Sequence, residues 1–139
     1  MQIPAADDRE YWTRVLAAGG SIAVPRWVTD PAPGIGVHVA PVPAEVLTAV
    51  DAHTFGTLLL TAHAAVLAAL SGEADVVTGY VPAGAQRPLP CPLSAGPTSW
   101  RELLDRTRAA ERELLAHADF PVEEPPRSDA VFGADAGEA

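Results

Sequence analysis

Fourteen prolines and 11 glycines punctuate a chain of 139 residues, and they decide where regular structure is allowed. Inside a helix a proline removes a backbone donor and clashes with the preceding turn, and in a sheet it is confined to an edge. From Ser21 to Gly34 the prolines at 25, 31 and 33 forbid a long helix or a central strand, leaving Ile22, Val24 and Val28 for short extended pieces. The prolines at 88, 90 and 92 hold that stretch extended too.

The segments between carry clear periods. A first helix is expected to open at Asp7 or Asp8, with Glu10 completing a capping box on Asp7, and to stop at Gly19-Gly20. Tyr11, Trp12, Val15 and Leu16 recur at helical spacing and form its packed face. Ile35, Val37 and Val39 alternate with Gly36 and His38, the period of a half-buried strand. Pro43 suits a helical first turn, opening a helix of about ten residues with Val46, Leu47 and Val50 inward.

Thr54 is expected to cap the principal core helix, with Phe55, Leu58, Leu59, Ala62, Val66, Leu67 and Leu70 inward and Gly72 as its left-handed stop. The uncharged run Phe55 to Leu70 is shorter than the roughly 20 residues a bilayer crossing needs, so no membrane association is expected. Ala74 to Val81 reads as a strand leading into a loop at 82–87. Ser99 and Glu102 form a capping box for a helix whose stripe is Trp100, Leu103, Leu104, Thr107, Leu114 and Leu115, with Glu102, Arg106, Arg108, Glu111 and Arg112 on the solvated side. Ser128 to Phe132 is expected as a short strand. The order predicts a layered α/β sandwich, a small mixed sheet with helices packed on it, in one body over 1–124 followed by an acidic tail or linker at 125–139.

Nine basic against 18 acidic residues give a formal charge of −9, which repels a phosphate backbone and excludes nucleic acid as an expected partner. The single Cys91 cannot form an internal disulfide or a multi-cysteine metal site, and it fits a reducing compartment. The N-terminus lacks the basic start and apolar run of a secretory signal, so a cytoplasmic location is expected.

Four histidines, at 38, 53, 63 and 117, are the candidates for proton transfer. His63 lies on the core helix, where burial favours the neutral ring that a general base needs. The competing reading is a packed histidine bonded to a backbone carbonyl. His53 and His117 stand near helix ends, where a C-terminal dipole suits an imidazolium. Cys91 has no cation beside it to lower its thiol pKa and reads as a bystander. Glu123-Glu124 reads as a solvated acidic stretch, not an acid/base dyad. No nucleotide-binding or nucleophile-elbow motif occurs.

Four segments together resemble the C-terminal half of the condensation domains of nonribosomal peptide synthetases, a chloramphenicol acetyltransferase-like superfamily. They are Asp8-Arg-Glu-Tyr-Trp-Thr-Arg-Val-Leu16, the run from Thr54 to Gly72, Ala74-Asp-Val-Val-Thr-Gly79 with Arg87, and Ser99-Trp-Arg-Glu-Leu-Leu104 followed by His117-Ala-Asp-Phe-Pro-Val-Glu123. Their order and spacing agree over most of residues 8 to 124. The family's His-His-x-x-x-Asp-Gly motif is missing, and only 12 residues separate Arg87 from Trp100, so Pro88 to Pro97 reads as a shortened remnant of the family's longer connection. The resemblance implies a truncated, non-catalytic half-domain serving as a scaffold or docking platform for an adenylation domain in specialised-metabolite or antibiotic biosynthesis.

Under that implication Trp12, Trp100 and the Phe55–Leu70 helix form the core, Arg26 and Trp27 are candidate interface anchors, and no catalytic residue, cofactor or metal is expected. Two alternatives stand beside it: a minimal acyltransferase using His63 on a carrier-bound phosphopantetheine thioester, and a carrier-protein recognition module.

Overall fold

A computed structural model describes residues 3–17, 24–26, 28–119 and 130–134. Helix α1 spans Ile3–Ala17, α2 Ala44–Ala49 and α3 Ala52–Ser71; strand β1 spans Asp75–Val81 and β2 Leu89–Ser94; α4 spans Trp100–Ala116 and β3 Val131–Gly133. The sheet has the order β2-β1-β3, with β2 antiparallel and β3 parallel to β1. This is the small mixed sheet with helices that the sequence predicts. Strand β3 overlaps the short strand expected at Ser128 to Phe132, and its three residues lie within the segment 125–139 set apart as tail or linker. Trp27, Gly19-Gly20, Ile22 and Glu123-Glu124 lie outside the described residues.

Strand pairing places Val76 opposite Leu93, Thr78 opposite Cys91 and Tyr80 opposite Leu89, so these side chains share one face. That face meets α3 and α4, and the core joins Val76, Tyr80, Cys91 and Leu93 to Leu60, Ala64, Leu67 and Leu114, with Tyr11, Trp12 and Val15 of α1 closing one end. Pro90 and Pro92 sit in β2 itself, beyond the merely extended stretch expected there. They are tolerated because β2 is an edge strand, where a missing N–H faces outward. Gly79 is required by close approach: a Cβ there would lie 3.0 Å from Pro88 Cβ and 3.3 Å from Val131 Cγ2.

Several elements differ from the expected ones. Because Pro4 is compatible with a first turn, α1 begins at Ile3 and Asp7 and Asp8 lie inside it instead of capping it. Leu16 is exposed. Pro43 is the residue before α2, which has six residues instead of about ten, and the cap of α3 is Asp51, whose carboxylate accepts from the Thr54 N–H at 2.7 Å. The Thr54 N–H first, and the Thr54 side-chain hydroxyl with it, hold Asp51 below the usual carboxylate range. Gly72 ends α3 in the left-handed conformation, at φ 77°, as expected.

At 20 residues α3 is long and apolar enough to cross a bilayer, so the short apolar run does not exclude it. What defines α3 here is its packed stripe of Thr57, Leu60, Thr61, Ala64 and Leu67, displaced from the expected face, with Val66 and Leu70 outside. Ser99 caps α4 as predicted, accepting from Glu102 N–H at 3.2 Å. Trp100 is 59% exposed and Leu115 is also exposed, so neither is core; Glu111, expected in solvent, is buried. Residues 35–39 form no strand: Ile35, Val37 and Val39 are 96%, 86% and 84% exposed.

Candidate functional site

The buried polar groups gather between the sheet and the two long helices. Glu111 stands in phase with Leu103, Thr107 and Leu114, so α4 carries it into the core with them. Its Oε1 accepts from the Thr57 hydroxyl of α3 at 2.8 Å and its Oε2 from the Tyr80 hydroxyl of β1 at 2.6 Å. One carboxylate thus ties two helices and the central strand. Burial, then the hydrogen bond to Glu111, pushes the Tyr80 hydroxyl well above its usual range. Burial first and the charge of Glu111 second push the Cys91 thiol up to about 12 from an ordinary 9.0. The thiol stays protonated and sealed, in keeping with a bystander.

His63 points from α3 to the same sheet face. Its Nε2 lies 2.8 Å from Thr78 Oγ1, and that hydroxyl donates to the Ala130 carbonyl at 3.1 Å. A hydroxyl has one proton, so Thr78 accepts from His63, which places the proton of the neutral ring on Nε2 and leaves Nδ1 as its acceptor. The Ala130 carbonyl also accepts the Gly79 N–H at 3.0 Å, and Phe132 lies 5.6 Å from the His63 ring centroid. Burial lowers the His63 pKa. The ring is half-buried and engaged, but its partner is the Thr78 hydroxyl instead of the backbone carbonyl expected of a packed histidine.

A third cluster joins α1 to the end of α4. The Trp12 indole donates to the His117 carbonyl at 3.0 Å, Tyr11 stacks on the His117 ring at 4.4 Å, and Asp8 bonds His117 Nδ1. Burial pushes Tyr11 up to about 12. His117 is the C-cap of α4, as expected of a helix-end histidine. His53 is not: it lies in the first turn of α3, the positive end of that helix, because α2 stops at Ala49. Arg26 is exposed, and Trp27 lies outside the described residues.

These clusters join elements; among the described residues no group of three or more His, Cys, Asp or Glu is arranged to hold a metal ion. Glu111 escaped the sequence reading because an acid among arginines looks solvated. Its spacing from Leu103 and Leu114, with hydroxyls on apolar α3 and β1 in need of an acceptor, was the available signal.

Solved structures share this fold. The starter condensation domain of rhizomide synthetase, bound to C8-CoA and Leu-SNAC, superposes with a TM-score of 0.61 at 24% identity over 86% of this chain and 31% of that one. The first condensation domain of the calcium-dependent antibiotic synthetase, bound to a substrate analogue, gives 0.63 at 21% identity over 94% of this chain and 35% of its own. The fold is that of part of a condensation domain. No family model and no curated protein sequence matches the chain. The condensation-like chain spans about a third of the length of these two domains. The helices α3 and α4 and strand β1 that carry its polar clusters are the segments in which the sequence resembles that family.

Proposed function

We propose that this chain is a non-catalytic, condensation-like scaffold that docks an adenylation domain in the assembly of nonribosomal peptides or related specialised metabolites. The observation that carries the reading is the engagement of His63. Its Nε2–H is spent on Thr78, which passes the bond to Ala130, so the ring pins α3 to β1 and to the start of β3. Joining an amine to a thioester needs a positioned acceptor for the amine and a site holding both reactants. Glu111, Cys91 and His117 are also engaged in or sealed by structure. What the chain offers a partner is its outer surface, with Arg26 at hand and Trp27 beside it in sequence as anchors.

The test is light scattering on the chain, alone and mixed with the adenylation domain encoded after or beside it. A one-to-one complex weakened by Arg26→Ala or Trp27→Ala is the expected result. A monodisperse chain that ignores the adenylation domain overturns the reading. Thioester transfer by the chain alone, abolished by His63→Gln with the fold intact, would replace it with the acyltransferase. A carrier protein is the weaker partner, since Arg106 is paired with Glu102 and Arg108 reaches Thr54, leaving α4 without a gathered basic patch.

A further inference from the structure

Residues 34–40 lie between Pro33 and Pro41 and contain no proline, so every residue in the segment keeps its backbone N–H. Ile35, Val37 and Val39 are β-branched and alternate with Gly36 and His38, which gives a strand one apolar face and one small or polar face. Such a strand is built to lie at a half-buried position in a sheet. Here it lies in none: the three side chains are 84–96% exposed, and among the described residues no backbone hydrogen bond joins the segment to another part of the chain. Nearly the whole stretch from Pro25 to Pro43 is exposed wherever it is described, with bends at 28–30 and 33–34, and it is an arm outside the core. An unpaired apolar strand with free N–H and C=O groups is a template for pairing with another polypeptide.

A second copy of this chain is a poor recipient. The free edge of β2 carries Pro90 and Pro92, whose missing N–H groups blunt it, and β3 has only three residues. Two arms paired with each other would make an isolated two-stranded ribbon, which is marginal in water. The chain corresponds to only 31% and 35% of the two condensation domains described above, so about two thirds of such a domain stands outside it. The geometry points to one occupant: the segment Ile35–Val39 adds as a strand to a sheet edge in the part of a condensation domain outside the third that this chain matches, with Ile35, Val37 and Val39 buried on that part. This goes beyond the adenylation reading and does not rest on it.

The test mixes the full chain with the first condensation domain of the calcium-dependent antibiotic synthetase trimmed of the third that this chain matches. A single-chain graft of this sequence into that domain guards against an insoluble fragment. Amide hydrogen exchange at residues 35–39 is expected to slow by at least about 100-fold on pairing in one format or the other. Val37→Pro removes a donor and should abolish that protection while leaving the chain's own unfolding midpoint unchanged, and Val37→Thr should keep it. Free-peptide exchange at 35–39 in both formats overturns the proposal. So does protection already present in the chain alone at the mass of a dimer, which would make a second copy the occupant. Arg26→Ala tests the adenylation platform separately and should not alter exchange at 35–39.

Discussion

Strand β1 and the arm segment 35–39 are written in the same period and end in opposite places. In β1 the alternating residues Val76, Thr78 and Tyr80 are buried under α3 and α4, whereas Ile35, Val37 and Val39 stand in solvent. The pattern sets strand geometry in both. What differs is the presence of a partner: β1 is central, paired with β2 on one side and β3 on the other, while no described element pairs with the arm. Alternation therefore specifies which face a strand buries without saying whether the burying surface lies in the same chain.

The largest effect that sharpens this contrast is a cavity in the packed body. Leu60 is fully buried between α4 and the sheet, so Leu60→Ala should cost about 2–5 kcal/mol, read as a lowered urea midpoint with unchanged slope. A loss below about 1 kcal/mol would mean the body is as loosely held as the arm.

The next concerns the Glu111 hub. Tyr80→Phe removes the donor that lies 2.6 Å from Glu111 Oε2 and should cost about 1.5–3 kcal/mol, since the acceptor is a carboxylate. Pairing it with Glu111→Gln in a double-mutant cycle should show coupling, because the two side chains touch; additive losses would break the hub.

That hub also marks how far the sequence could be read. The ends of α4 and β1, the Gly72 stop and the mixed sheet follow from local rules about caps, turns and alternation. The buried stripe of α3 does not, because α3 is apolar on nearly every side and periodicity alone cannot choose among its faces. The choice is made by Thr57 and Thr61, whose hydroxyls reach Glu111 and the Thr57 carbonyl at 2.8 Å each and so can be buried. This leaves Val66 and Leu70 outside. Trp100 likewise fits the stripe by spacing, yet at the first residue of α4 it is exposed. At the site, His63 and His117 were legible as packed and helix-end residues, while Thr78 and Asp8, their partners, come from segments too distant in sequence for any local pattern to pair them.

The pH dependence of stability should bear the same stamp of burial. His63 has a lowered pKa in the fold, so the unfolded chain binds its proton first and stability should fall as pH drops below the ordinary histidine value of 6.5. Cys91 is raised from 9.0 to about 12, so the unfolded chain releases that proton first and stability should fall as pH rises above 9. Urea titrations across pH test both limbs. Cys91→Ala should remove the loss between pH 9 and 10, before the raised tyrosines contribute, and native Cys91 should resist alkylation until the chain unfolds.

The smallest effect is the most discriminating, because its near-absence is the prediction. Val37→Ala removes two methyl groups from an apolar position in a period-2 segment, and in β1 a comparable truncation at Val76 would open the core. In the arm, those methyls face water before and after unfolding, so the isolated chain should change by no more than about 0.5 kcal/mol. A measured loss near that of a core valine would mean that the arm packs on the body in solution, and the contrast between the two strands would disappear. If the isolated chain is indifferent while binding to the complementary part of a condensation domain weakens, the arm is a strand whose hydrophobic free energy is released only on association. The same three residues would then contribute nothing to this chain's folding and much to its assembly.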